Sequence, residues 1–116
     1  MRDLALETAG GLAILVAVLH GVIAELKVFA KARIEPPWAR RLLRMIWQAS
    51  TIDWIAIGVL LIAAPSLGSS LAREWVVIVA VVVYAFAALG NALATRAFHA
   101  GWILMTCVVG LALAGL

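Results

Sequence analysis

Charge is scarce in this chain: Asp, Glu, Lys and Arg make up 13% of its 116 residues, where a soluble domain carries about a quarter. Cysteine is nearly absent. The single Cys107 cannot form an internal disulfide, and a cysteine-based metal site would lack ligands. It falls in an apolar stretch and reads as a small core residue. Catalytic signatures are missing as well: there is no Gly-x-Ser-x-Gly elbow, no phosphate-binding glycine loop and no His-Glu-x-x-His. Ser50, Thr51 and Asp53 could be drawn with His20 as a hydrolytic set, but no spacing places a serine beside the histidine. An enzyme is therefore the disfavoured reading.

What the chain has is apolar length. It is 66% hydrophobic, with a mean hydropathy of +1.14. Four apolar stretches, at about 4–26, 45–64, 75–94 and 98–116, each suit a helix near the roughly 20 residues that a bilayer core requires. In lipid the backbone must satisfy its own hydrogen bonds, so these stretches should be helices. The first does not read as a cleaved signal: Asp3 and Glu7 offset Arg2, and more apolar sequence follows. The expected fold is all-α, an integral membrane up-down-up-down four-helix bundle forming a single domain over 1–116.

Basic residues set the expected orientation. Lys27, Lys31, Arg33, Arg40, Arg41 and Arg44 lie between the first two spans, and Arg96 lies between the last two. Only Arg2 and Arg73 fall on the other side, each next to an acid. This bias is expected to place both loops in the cytoplasm and both termini in the periplasm or exterior. The pI of about 9.8 follows from that asymmetry. Anionic lipid head groups, rather than nucleic acid, are the expected partners of the charge.

The first loop has its own pattern. Pro36 and Pro37 must break any helix leaving the first span, and Pro37 suits the first turn of a new one. Trp38, Leu42 and Met45 recur near helical spacing, with Arg40, Arg41 and Arg44 toward the other side. The segment reads as a short interfacial helix with a basic surface, feeding into span two.

Packing signals are small residues at fourfold spacing. Ala9, Ala13, Ala17 and Gly21 form a ridge on span one that lets another helix approach closely, within the chain or between chains. Ala88 with Ala92, and Gly110 with Ala114, make shorter ridges. Trp38 and Trp75 sit at opposite expected interfaces, while Trp47 and Trp54 share a face of span two.

Polar residues gather in the cytoplasmic halves of the spans. His20, Glu25, Gln48, Asp53, Asn91 and His99 are the candidates for a cytoplasm-facing pocket, since ionisable residues at membrane depth usually face an interior and have partners. Asp53 is nine residues past Arg44, about 13 Å at helical rise, near the expected midplane. It should be paired, with His20 as a candidate, or carry its proton. Glu25 is shallower and close to Lys27, so an interfacial ion pair is expected there. His20 and His99 are the only candidates for a metal or for haem b, which can sit between histidines of two bundle helices. No second histidine pair and no fixed ligand spacing supports them, so no cofactor is expected.

The run Leu19-His20-Gly21 followed by Glu25, the segment 41–48, and His99-Ala100-Gly101-Trp102 resemble a family of small four-span bacterial membrane proteins. The resemblance covers about 19–115. It implies an inner-membrane protein with a polar site at positions 20, 25, 48 and 99, and it implies no activity. In that pattern a histidine often follows the tryptophan where this chain has Gln48, which cannot replace it as a strong metal ligand. The size and four-span layout also resemble those of small multidrug transporters, but their mid-span glutamate has no counterpart: Glu25 lies near the boundary.

Two functions stand in front. One is a non-enzymatic subunit, a homo-oligomer or part of a larger membrane complex, acting by helix–helix association. The other is a small proton- or cation-coupled transporter or ligand-binding bundle using the polar pocket.

Overall fold

The computed structural model describes residues 1–116. Its helices are α1 (Arg2–Ile23), α2 (Pro37–Ala63), α3 (Ser70–Ala94) and α4 (Gly101–Ala114); α1 continues as a π-helix over Ala24–Phe29, and α2 ends in a 3-10 turn over Ala64–Ser66. The protein is all-helical. Three segments, Arg2–Phe29, Pro37–Ser66 and Ser70–Ala94, are long and apolar enough to cross a membrane.

Two expectations are corrected. The segment that follows the proline pair is not a separate interfacial helix. Pro36 is the N-cap and Pro37 the first residue of one 27-residue α2, because no proline or glycine interrupts the chain before Gly58. The fourth apolar stretch, expected over 98–116, gives a helix of only 14 residues. At about 1.5 Å per residue that helix is shorter than a bilayer core. Arg96 and Ala97 adopt left-handed φ values of 50° and 59°, which ends α3. Helix α4 then starts only at Gly101, whose N–H donates to His99 Nδ1 at 3.1 Å.

Successive helices run antiparallel in sequential order around a ring. Helix α1 lies between α2 and α4, α3 packs on α4, and the α2–α3 seam is the loosest. The ridge of Ala9, Ala13, Ala17 and Gly21 is buried inside the chain. At the adjacent Gly10 the approach of α2 is so close that a Cβ would strike the Gly58 carbonyl oxygen. A Cβ on Gly21 would lie 2.9 Å from Thr51 Cγ2. The core is completed by Leu6, Leu61, Val77, Tyr84 and Val108.

Most of the apolar surface points outward. Only 22 of 116 residues are buried, although the chain is 66% hydrophobic. Leu15, Val22, Ile52, Val82, Phe86 and Leu89 are among the large apolar side chains left exposed. An outer surface of this kind has no favourable contact with water.

Candidate functional site

The six polar candidates do not form one site. The helices divide them into three groups.

His20, Asn91 and His99 line one open-sided cavity of about 740 Å³ between α1, α3 and α4, with the edge of α2 contributing Trp47. His20 is held tightly. Its ring stacks on Trp47 at a centroid distance of 4.8 Å and an interplanar angle of 15°, and lies tilted against Trp54 at 4.4 Å and 33°. The two tryptophans, seven residues apart on one face of α2, therefore meet the same ring. His20 Nε2 lies 3.2 Å from Ser50 Oγ. The Ser50 hydroxyl donates its only proton to the Trp47 carbonyl at 2.7 Å, so His20 Nε2 must be the donor to Ser50 and Nδ1 is left bare. In His99 the acceptor is Nδ1, which takes the Gly101 N–H, so neutral His99 carries its proton on Nε2. The side-chain oxygen of Asn91 is buried and has no hydrogen-bond partner.

Glu25 and Gln48 belong to a second cluster, on the outer α1–α2 face. Arg44 grips the Glu25 carboxylate through two contacts, Nε to Oε1 at 3.0 Å and Nη2 to Oε2 at 2.6 Å. Gln48 Nε2 donates to Glu25 Oε1 at 2.9 Å and to the Gly21 carbonyl at 3.2 Å. Trp47 Nε1 donates to the His20 carbonyl at 3.3 Å. These side-chain donors reach α1 where it widens into its π-helix, a change that disturbs the regular carbonyl ladder. Glu25 is thus paired with Arg44 rather than with its sequence neighbour Lys27. Arg40 donates to the Phe29 carbonyl and closes that helix end. Arg41 is exposed beside Arg44 on the first turns of α2.

Asp53 stands alone. The expected pairing with His20 does not occur, because the partner of His20 is Ser50. Thr51, Trp54, Gly58 and Leu61 are the buried positions of α2, and Asp53 lies about 120° around the helix from that stripe. It sits instead in an outward row of Ile46, Ala49, Asp53, Ala56 and Leu60, all exposed. The row's spacing alternates three and four, which is the repeat of a helix–helix seam.

Two structural residues escaped the sequence reading. Tyr84 is fully buried and its hydroxyl lies 3.1 Å from the Ala13 carbonyl and 3.4 Å from that of Trp54. The available signal was a lone tyrosine in an aliphatic span, whose hydroxyl had to find an acceptor. Arg73 bonds Asp3 Oδ1 at 2.6 Å and the Gly115 carbonyl at 3.1 and 2.7 Å. Only Glu74 was visible beside it in sequence.

No cluster of three or more His, Cys, Asp or Glu is placed to hold a metal ion. Haem ligation through Nε2 would require His20 to give up Ser50, and both rings to change tautomer. No protein-family model matches the chain, and no curated protein or solved structure matches it either.

Proposed function

We propose that this protein is a non-enzymatic subunit of a bacterial inner membrane that works by helix–helix association through the outward face of α2. Its copies stand with both termini outside and the Lys- and Arg-rich first loop in the cytoplasm, in keeping with the charge bias. The observation that carries the reading is the placement of Asp53. A carboxylate near mid-helix, facing outward among apolar residues, costs about 2.5–3.5 kcal/mol at a bilayer centre unless another helix covers it.

The row around it suits a covering helix. Ala49 and Ala56 are small enough for close backbone approach, and Ile46 and Leu60 flank them at helical-seam spacing. One polar residue at such a seam fixes register and partner number. A second α2 is the simplest occupant: a parallel twofold pair brings the two Asp53 side chains to one seam and shields both from lipid. The Ala9–Gly21 ridge is consumed within the chain and adds nothing to this contact.

Intact-complex mass in nanodiscs tests the proposal. Wild type should appear as a multiple of 12.3 kDa, or bound to a different membrane protein if the partner is heterologous. Asp53→Leu should remain folded and helical but fall to single chains, and Asp53→Asn should retain part of the association through its amide. A wild type that is always a single chain, or assembly unchanged in Asp53→Leu, would overturn it.

A coupled transporter is less well supported by the geometry. Asp53 was its one membrane-embedded acid, and it does not share a site with His20 and His99.

A further inference from the structure

We propose that the cavity between α1, α3 and α4 holds one acyl chain of an acidic phospholipid, whose head group rests on Lys31 and Arg96. The proposal shares its membrane setting with the reading above but not the α2 seam, since the cavity walls come chiefly from the other three helices.

The shape of the cavity points to a chain. Its lining on the first helical segment runs from Val16 to Val28, about 18 Å at helical rise. One leaflet of a bilayer core is about 15 Å thick. The cavity thus runs lengthwise along the bundle, toward the end that carries the first and third loops. It opens where α3 has ended at Ala94 and α4 starts only at Gly101, so a turn stands there in place of a packed helix pair. Leu19 and Leu104 line the cavity and are also 42% and 36% exposed, which puts the open side at the crevice between α1 and α4. In a bilayer that side faces acyl chains, and an apolar slot left empty would forfeit dispersion contacts.

The charges stand at the rim and not inside. No Asp, Glu, Lys or Arg lines the cavity, so a charged group within it would lose its hydration with no opposite charge to replace it. Val28, Thr95 and Phe98 do line it. Lys31 is one turn past Val28, and its N–H donates to the Val28 carbonyl at 3.2 Å. Arg96 lies between Thr95 and Phe98. Both cations are exposed, and neither takes part in a salt bridge: the two ion pairs of the protein belong to Arg44 and Arg73. Two unpaired cations beside an apolar slot of leaflet depth match the negative head group and apolar tail of one acidic phospholipid. A chain that leaves bulk lipid for the slot gains packing alone. Selectivity therefore resides in the head group.

Native mass spectrometry of the full-length protein, released from nanodiscs of equal phosphatidylglycerol and phosphatidylcholine, tests the site. One phosphatidylglycerol per chain should be retained, in preference to phosphatidylcholine by about tenfold or more. Lys31→Gln combined with Arg96→Gln should abolish the preference. Arg41→Gln, whose sequence neighbours do not line the cavity, should leave it intact. Leu104→Trp should displace the lipid by filling the slot, and Leu19→Trp carries the same test if Leu104→Trp does not fold. In pure phosphatidylcholine Arg96 meets no net negative charge and keeps only the cost of its left-handed backbone. The proposal is overturned by the absence of retained lipid, by equal retention of the two lipids, or by a preference that survives loss of both cations. Retention unchanged in a folded tryptophan variant overturns it too, as does glycerophosphoglycerol, the head group without chains, competing as well as the lipid. Retention per chain should be the same in Asp53→Leu, so this site and assembly through Asp53 stand or fail separately.

Discussion

Arg96 stands where helices usually place glycine. The Ala97 N–H reaches the Ala92 carbonyl at 2.7 Å and the Arg96 N–H reaches that of Leu93 at 3.4 Å, which is the paired pattern that closes a helix through a left-handed residue. A side chain at that φ costs about 1 kcal/mol or more. Arg96→Gly should therefore raise stability by about 1 kcal/mol in thermal or denaturant unfolding of the reconstituted protein. A loss instead would mean that the guanidinium makes a stabilising contact with lipid head groups. His20 illustrates the limits of sequence at this scale. Its depth in span one was readable from position, but its partner was not: Ser50 and Asp53 are both on α2 and only the rotation of that helix selects between them.

At the scale of elements, the α1–α2 contact is set by backbone proximity. A Cβ on Gly58 would lie 2.7 Å from Ile14 Cγ1 and 2.9 Å from the Gly10 carbonyl oxygen, whereas nothing lies within 4 Å of a Cβ on Gly11. Gly10→Ala should push the helices apart and cost about 1–3 kcal/mol. Its neighbour Gly11→Ala should be neutral or stabilising by up to about 1 kcal/mol, through helix propensity alone. Equal effects of the two, measured by reversible unfolding in mixed micelles, would refute the close contact. Proline punctuation made the start of α2 legible at Pro37. The shortness of α4 was not legible, because hydropathy reports that a stretch is apolar and not where a left-handed turn delays its first helical residue.

For the whole molecule, the dimensions of 49 × 26 × 18 Å fit a bilayer of about 40–45 Å with its head groups. Trp38 and Trp75, both exposed, lie toward opposite ends of that length. The topology is open to a direct check. In a Cys107→Ala background, Lys31→Cys should react with an impermeant thiol reagent only from the cytoplasmic side and Ser70→Cys only from the other. The reverse pattern would overturn the proposed orientation, and labelling of both from both sides would indicate mixed insertion. Arg73 adds the tie at the end of the bundle that holds both termini, joining α3 to α1 through Asp3 and to α4 through the Gly115 carbonyl.

Sequence by itself determined the helical class, the apolar segments, the start of α2 at Pro37 and the sign of the charge bias, whereas the first helix ends at Phe29, well before the proline pair. Each follows from local chemistry: hydropathy over one helix length, the missing amide of proline, and the count of Lys and Arg in each loop. Only the tertiary structure decided that the Ala9–Gly21 ridge is spent within the chain, that the helices close in sequential order, and that His20, Asn91 and His99 share a cavity while Glu25 and Gln48 turn to Arg44. It also turned Asp53 outward. The reason is rotational: residues at equal depth on two helices meet only when both faces turn toward each other. That rotation is set by packing among α1, α2 and Tyr84, and no single segment encodes it.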